Sequence, residues 1–165
     1  DRAYDAARAR FTARPAGGLD ALARHYAGWG VGDLFYKRRG WAEPAVGFAS
    51  LDDFVARSYV GGFAGAHAGG LLAQLAGWRA SRDGAAPSDA ELRDVSARVL
   101  LMPCTGDRYF AVDECAAREA ALIPGATLLT IDSAWGHRAG DPGRPGQGED
   151  AAFLSEHASK FLAAA

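Results

Sequence analysis

Apolar residues in the first half of the chain recur at steps of three and four, the spacing of one helix face. The pattern predicts three helices: Gly18 to about Lys37, Leu51 to about Tyr59, and near Ala66 through Trp78. Gly28, Gly30 and Gly32 interrupt the first helix, so a break or kink is expected there. Ser50 is a suitable N-cap for the second helix, and the Gly61-Gly62 pair should end it. No segment alternates with period two, so this half is predicted to be a helical layer.

The second half, after a loop at Arg82–Pro87, changes to short apolar runs that alternate with helical patterns. The predicted elements are a helix opened by the capping box Ser88–Glu91, a fully buried strand over Arg98–Met102, a helix over Ala111–Leu122, a strand over Ala126–Asp132 and a helix over Asp150–Ala164. The last helix should face inward with Phe153, Leu154, His157, Phe161 and Leu162. Strand, helix, strand, helix is a βαβα unit, which implies a parallel pair with a right-handed crossover.

Composition and charge exclude several classes of function. The chain has 165 residues, enough for one ordinary domain, and 49% of them are hydrophobic. With a net charge of −2 and no basic stripe interleaved with aromatics, a nucleic-acid partner is not expected. No apolar run could span a bilayer, and Asp1–Arg14 is too polar for a signal peptide, so the predicted location is the cytoplasm without a membrane partner. Cys104 and Cys115 stand alone, which argues against a disulfide scaffold and against a metal site.

A sheet of only two parallel strands is a physical difficulty. Each strand would present an unpaired edge of backbone N–H and C=O groups, and the helical first half supplies no further strand. The sequence therefore predicts that the sheet is completed by an N-terminal half or by a partner chain, with a homodimer as one such arrangement.

Two polar loops directly follow the predicted strands, Pro103–Phe110 and Ser133–Arg138. Ligands in open α/β sheets bind beyond the carboxyl ends of the strands, so both loops should open onto one rim. Asp107 in the first loop could then accept a hydrogen bond from one nitrogen of His137, which leaves the other nitrogen free to take a proton from a nucleophile. The alternative is that Asp107 caps the following helix and that His137 is a surface residue. The sequence leaves both interpretations open.

The sequence contains no evident nucleophile for such a pair. No Gly-x-Ser-x-Gly motif occurs, and no serine follows a predicted strand and precedes a helix. Cys104 follows a strand but is expected to pack as a small apolar residue. His25, His67 and His157 are interpreted as surface or packing residues, and Asp132 has no assigned role.

Three runs carry a resemblance to a known family: Val99–Phe110, Leu122–Ala126 and Ile131–Pro142. They resemble the C-terminal part of α/β-hydrolase-fold proteins, and are most similar to the homoserine O-acetyltransferase-like branch. Gly18–Trp29 and Gly47–Phe54 resemble the helical lid insertion of that branch.

The resemblance implies an α/β fold, namely an incomplete α/β-hydrolase fold. Residues 1–87 would form the helical lid and residues 88–165 the last βαβα unit of the parallel sheet. It implies Asp107 as the acid and His137 as the base of a Ser-Asp-His triad, with the serine in an N-terminal half that this chain lacks. This chemistry needs neither a cofactor nor a metal.

The resemblance also implies a small-molecule ester or acyl donor as substrate. Tyr109, Phe110, Trp135 and Arg138 are the predicted substrate-binding residues. Arg138 stands where homoserine acetyltransferases carry an acidic residue that helps to bind an ammonium group, so the reversed charge disfavours homoserine. The lid would add an aromatic lining from Trp29, Phe35, Tyr36 and Phe63.

Three functions follow from these observations. The favoured one is an ester hydrolase. The second is an O-acetyltransferase that acts on a hydroxylated small molecule, because the same residues serve water and a hydroxyl acceptor alike. The third is a non-catalytic, truncated module.

Overall fold

A computed structural model describes residues 15–84, 87–141 and 143–164. Residues 1–14, residues 85–86 of the predicted dividing loop, Pro142 and Ala165 lie outside the described residues. The α-helices are α1 (Pro15–Gly30), α2 (Asp33–Lys37), α3 (Leu51–Val55), α4 (Gly61–Phe63), α5 (Ala68–Gly84), α6 (Asp89–Arg93), α7 (Ala117–Leu122) and α8 (Gly148–Ala163). The strands are β1 (Leu100–Leu101) and β2 (Thr127–Leu128). Short turns complete the order, 3-10 at Gly40–Ala42 and Gly136–Arg138 and π-helical at Ala56–Val60 and Val112–Ala116.

The described residues form two compact units. The first contains the residues up to Gly28 and the segment from Ser50 to Gly84, and the second contains Trp29–Ala49 and the residues from Pro87 onward. The assignment of residues 1–87 as a lid and 88–165 as a core unit stays a prediction. None of the described helices combines the length and the apolarity needed to cross a membrane.

In the first half, the predicted helix break and the predicted helix cap are both present, whereas the predicted helix end at Gly61-Gly62 is not. α1 ends at Gly30 and α2 begins at Asp33, which confirms the break at the glycines. Ser50 Oγ accepts a hydrogen bond from Asp53 N at 3.1 Å, which confirms the N-cap.

The prediction that Gly61-Gly62 ends the second helix is wrong. The backbone continues through the π-helical turn, with Gly61 itself in the right-handed helical region, and stops only after Phe63. Helix propensity disfavours glycine by only about 1 kcal/mol per residue. Aromatic packing opposes that cost, because Tyr59 is buried against Phe54 and Phe63 contacts Tyr26 edge-on.

The two strands pair in parallel, as predicted, with Leu100 opposite Thr127 and Leu101 opposite Leu128. The ladder continues beyond the strands, since Ile131 N donates to Pro103 O at 2.8 Å and Thr105 N donates to Ile131 O at 3.0 Å. Pro103 lies in the middle of this ladder and has no N–H to donate. The regular strands are therefore short, although the two backbone segments remain hydrogen-bonded to each other as far as Thr105.

The prediction that the strand over Arg98–Met102 is fully buried is wrong. β1 is half-buried, and Thr127 and Leu128 of β2 are exposed. In α8 the predicted inward residues Phe153, Leu154, His157 and Phe161 are half-buried, but none is fully buried, and Leu162 is 71% exposed. An apolar run indicates that a segment needs other residues packed against it. Among the described residues, the packing against β1, β2 and α8 is not enough to bury them fully.

Candidate active site

Asp107 is held by the loop that follows the β1 side of the ladder. Its Oδ1 accepts hydrogen bonds from Tyr109 N at 2.7 Å and from Phe110 N at 3.2 Å, and its own N–H donates to Cys104 O. Aspartate commonly folds a turn around itself in this way. The side chain is only 11% exposed. Both N–H partners precede the predicted helix, which the structure forms as the π-helical turn Val112–Ala116 followed by α7. The carboxylate therefore orders its own loop, and no side chain caps that turn.

His137 lies on the 3-10 turn Gly136–Arg138 that follows the β2 side of the ladder. Gly136 begins this turn with φ +59°, a conformation that favours glycine. The structure brings the two loops together, because His137 Nδ1 lies 3.0 Å from Asp107 Oδ2. The imidazole side chain is 33% exposed. In the described part of the chain, no hydrogen bond of His137 Nε2 is present.

Two of the predicted substrate-binding residues flank the imidazole. The ring centroid of Tyr109 lies 4.7 Å from that of His137, and Phe110 lies 5.7 Å away on a side chain that is 58% exposed. Both residues belong to the loop that Asp107 orders. The Asp107 carboxylate therefore places both an acceptor and an apolar wall at the imidazole.

Trp135 and Arg138 occupy different surroundings from the two flanking rings. Trp135 is buried, its Nε1 donates to Gly146 O at 3.2 Å, and its ring centroid lies 4.7 Å from that of Phe35. Arg138 is half-buried. The hydrogen bond from Arg144 is the main reason why the pKa of Asp141 is lowered, and the charge of Arg138 contributes to the same shift. A role for Trp135 or Arg138 in substrate binding stays a prediction.

Three glycines allow the loops to approach one another closely. A Cβ on Gly136 would lie 2.6 Å from Gly32 N and 2.7 Å from Gly106 O, and a Cβ on Gly106 would lie 2.9 Å from Ser133 O. Gly32 N also donates a hydrogen bond to Ala134 O at 3.0 Å. From the sequence, Gly32 is predicted only to interrupt the first helix. In the structure it is also the point where a third segment packs against the Asp107 and His137 loops.

That third segment adds side chains that the sequence analysis did not connect with the site. Arg108 forms an ion pair with Asp33 at 3.1 Å, and its guanidinium lies 5.4 Å from the ring centroid of Trp29. Trp29 in turn lies 5.9 Å from Tyr109. Gly30 and Gly32, on either side of Val31, could have indicated a close approach of another segment to the backbone, but nothing in the local sequence indicates which loop they pack against. Of the predicted aromatic lining, Trp29, Phe35 and Tyr36 lie in this unit, and Phe63 lies in the first unit.

The two cysteines are free, and Cys104 is buried. Its Sγ donates to Ser133 O at 3.3 Å, and burial raises the pKa of its thiol. A thiol with a raised pKa is a poor nucleophile, in agreement with the expected packing role. In residues 15–84, 87–141 and 143–164, no group of three His, Cys, Asp or Glu side chains is placed to hold a metal ion.

Ser133 and Asp132 are the remaining polar residues near the histidine turn. The Ser133 hydroxyl is bound to Asp150 and to Trp135 N, not to His137. Asp132 Oδ1 accepts from Thr105 Oγ1 at 3.2 Å. In these contacts neither side chain hydrogen-bonds to His137.

The proteins that this chain resembles are esterases. A probable esterase of Corynebacterium glutamicum is 31% identical over 125 residues, which cover 74% of this chain and 35% of that protein. A solved acetylester hydrolase from Corynebacterium glutamicum matches with a TM-score of 0.64 at 31% identity, over 73% of this chain and 34% of its own. The solved acetyl esterase MekB matches with a TM-score of 0.70 at 27% identity, over 88% of this chain and 41% of its own. The chain thus spans 35% of the length of the curated relative, and no family model matches it.

These likenesses agree with the predicted hydrolase class. The described part of the chain is mostly helical with a small parallel sheet, which is compatible with part of an α/β fold.

Proposed function

We propose that this chain supplies the acid and the base of an ester hydrolase, with Asp107 and His137 as two members of a Ser-Asp-His triad. The observation that carries the proposal is the 3.0 Å distance between His137 Nδ1 and Asp107 Oδ2, at the place where two parallel-strand loops meet. The esterase names of the related proteins support it. The finer assignment to a homoserine O-acetyltransferase-like branch of the α/β-hydrolase fold belongs to the same proposal.

The geometry suits proton transfer at Nε2. Asp107 accepts the Nδ1 proton and fixes the tautomer in which Nε2 carries the lone pair. His137 Nε2 then takes the hydroxyl proton of a serine as the serine oxygen attacks the ester carbonyl. The same proton passes to the leaving alcohol when the tetrahedral intermediate collapses to an acyl-serine. In the second half-reaction His137 Nε2 takes a proton from water as the water oxygen attacks the acyl-serine carbonyl. His137 then gives that proton to the departing serine oxygen, which releases the carboxylic acid and restores the free serine and the neutral imidazole.

The serine is the part of the triad that this chain does not supply. No serine in the described residues hydrogen-bonds His137, so the proposal assigns the nucleophile to an N-terminal half or to a partner chain. The same partner would pair with a free edge of the β1–β2 sheet, and a homodimer is one arrangement that does so. The predicted cytoplasmic location is part of this proposal and is tested by fractionation of cells that produce the protein.

The proposed substrate is a small ester, and the related acetyl esterases favour an acetyl group. The rings of Tyr109 and Phe110 beside His137 would contact the apolar part of that ester. Arg138 follows His137 directly and would repel an ammonium group, which disfavours homoserine as an acyl acceptor.

The test is turnover of p-nitrophenyl acetate by a protein that contains this chain together with the segment that supplies the serine. Asp107→Asn leaves the hydrogen-bond geometry nearly intact but favours the wrong tautomer, so kcat should fall by about 10⁴-fold, and His137→Ala should fall at least as far. His157→Gln is the matched control, because the His157 ring packs at a tilt against Phe153 within α8, with 4.4 Å between the ring centroids. Full activity in His137→Ala would refute the proposal.

The same assay separates the two alternatives from hydrolysis. Faster release of p-nitrophenol on addition of a hydroxylated acceptor, with an acetylated product, would indicate the O-acetyltransferase. A complete protein that folds but releases no p-nitrophenol would indicate the non-catalytic module.

A further inference from the structure

The hydroxyl of Ser133 connects the histidine turn to a helix. Ser133 Oγ lies 2.5 Å from Asp150 Oδ2 and 3.1 Å from Trp135 N. A backbone N–H can only donate and an ionised carboxylate can only accept, so the directions are fixed. Trp135 N–H donates to Ser133 Oγ, and the Ser133 hydroxyl donates to Asp150. Both capacities of one hydroxyl are used in a partly buried position.

The two ends of this connection differ in length. Trp135 is the N-cap of the 3-10 turn that carries His137, and a 3-10 turn of three residues has little stability of its own. Asp150 lies in the first turn of the 16-residue helix α8, where the helix dipole favours a negative charge. A charge-assisted hydrogen bond is stronger than one between neutral groups. The turn is therefore anchored to the longer of the two elements.

The backbone of Ser133 faces the other loop of the candidate site. Its carbonyl accepts from Cys104 Sγ at 3.3 Å and lies 2.9 Å from the position that a Cβ on Gly106 would occupy. Ser133 thus touches the Asp107 loop through its carbonyl and the His137 turn through its hydroxyl. Any shift of Ser133 would alter the separation between the two loops.

We propose that Ser133 and Asp150 are positioning residues that hold His137 Nδ1 within hydrogen-bond reach of Asp107 Oδ2. This inference rests on the proposed function, since it assigns the alignment of that pair to two residues that do not touch it. Without the Ser133 hydroxyl, Trp135 N–H would lose its acceptor and the turn would be free to rotate the imidazole away.

A second hydroxyl–carboxylate pair in the same place provides a matched control. Thr105 Oγ1 lies 3.2 Å from Asp132 Oδ1, so this pair also joins the two loops. It is exposed, and neither of its members bonds to the histidine turn. If any loop-to-loop hydrogen bond had the same effect, Asp132→Asn would behave like Asp150→Asn.

The experiment compares the Ser133→Ala, Asp150→Asn, Ser133→Thr and Asp132→Asn variants of the complete enzyme with p-nitrophenyl acetate. Ser133→Ala should lower kcat by about 10- to 100-fold with little change in KM, because small misplacements of catalytic groups cost that much. Asp150→Asn should lower kcat less, since an amide oxygen still accepts but carries no charge. Ser133→Thr keeps the hydroxyl and should restore most of the loss, and Asp132→Asn should match the wild type.

A measurement without substrate gives a second readout. The imidazole N–H proton that is hydrogen-bonded to Asp107 should give a downfield NMR resonance in the wild type and in Asp132→Asn. It should broaden or disappear in Ser133→Ala. If Ser133→Ala does not fold, Asp150→Asn, which preserves the side-chain shape, carries both measurements.

Each failure has a distinct signature. If His137→Ala is inactive while Ser133→Ala and Asp150→Asn keep full kcat, the positioning role is refuted and the proposed function stands. The same holds if the two variants lose only thermal stability, or if Asp132→Asn lowers kcat as far as Ser133→Ala. If His137→Ala is fully active, the proposed function fails, and the NMR resonance alone decides whether Ser133 and Asp150 align the imidazole.

Discussion

Replacing Gly136 with alanine tests whether the loops of the candidate site are packed as closely as the structure shows. Gly136 has φ +59°, and an added Cβ would lie 2.6 Å from Gly32 N, 2.7 Å from Gly106 O and 3.0 Å from Val31 C. All three atoms belong to the backbone, so none can move aside by a side-chain rotation. Relief requires that a loop shifts.

The expected cost has two parts. A left-handed conformation costs a non-glycine residue about 1–2 kcal/mol. Forcing an extra carbon into a packed site adds about 1–3 kcal/mol. Gly136→Ala should therefore lower the free energy of unfolding by about 2–5 kcal/mol, a large part of the roughly 5–15 kcal/mol that a domain has.

Substitutions at two other glycines separate the cost of the left-handed conformation from the cost of close packing. Gly125 has φ +69° with nothing within 4 Å of an added Cβ, so Gly125→Ala should show the conformational cost alone, about 1–2 kcal/mol. Gly28 lies in α1, also with nothing within 4 Å, so Gly28→Ala should raise stability by about 0.5–1 kcal/mol through helix propensity.

The assay is urea unfolding followed by tryptophan fluorescence, with the midpoint and slope measured for each variant. A Gly136→Ala variant that is no less stable than Gly125→Ala would refute the close approach of the three backbone segments.

The remaining predictions concern a buried thiol and a helix cap. In the native protein at pH 8, Cys115 should react with a disulfide reagent well before Cys104, because burial raises the pKa of the Cys104 thiol; equal rates before unfolding would contradict the burial. Ser88→Ala should lower the free energy of unfolding by about 1 kcal/mol at pH 7 through loss of the α6 cap. Hydrogen bonds from Ser88 lower the pKa of Glu91. The contribution of the Ser88–Glu91 pair to the free energy of unfolding is therefore fully present above the ordinary pKa of a glutamate, and it is lost as the pH falls through the lowered pKa. In urea unfolding, Ser88→Ala should therefore lower the free energy of unfolding less at pH 3 than at pH 7. An equal loss at both pH values would contradict the pairing of Ser88 with the Glu91 carboxylate.

The features predicted correctly from the residues are those that depend on near neighbours along the chain. The Ser50 cap and the Ser88 capping box each involve a partner three residues away, and both are present. The break of the first helix depends on glycines within the break itself. The meeting of Asp107 and His137 is longer in range. Parallel pairing brings the carboxyl ends of consecutive strands to one edge, which made this meeting one of the two interpretations that the residues left open.

The features that could not be predicted depend on partners far away along the chain. Gly61 and Gly62 remain helical because the aromatic residues around them pack with Phe54 and Tyr26, which a propensity argument does not include. The apolar runs of the strands and of α8 signal a need for burial, but burial depends on which surfaces are present to cover them.

The candidate site shows the same division. Residue types and strand order indicate that Asp107 and His137 could meet at one rim, but they leave open the alternative of a helix cap and a surface histidine. The contact of Gly32 with Gly136, and the link from Ser133 to Asp150, join segments separated by many residues, and nothing in the local pattern selects those partners over others. Local chemistry along the chain specifies which groups are available, whereas the alignment of those groups to fractions of an ångström depends on packing between distant segments.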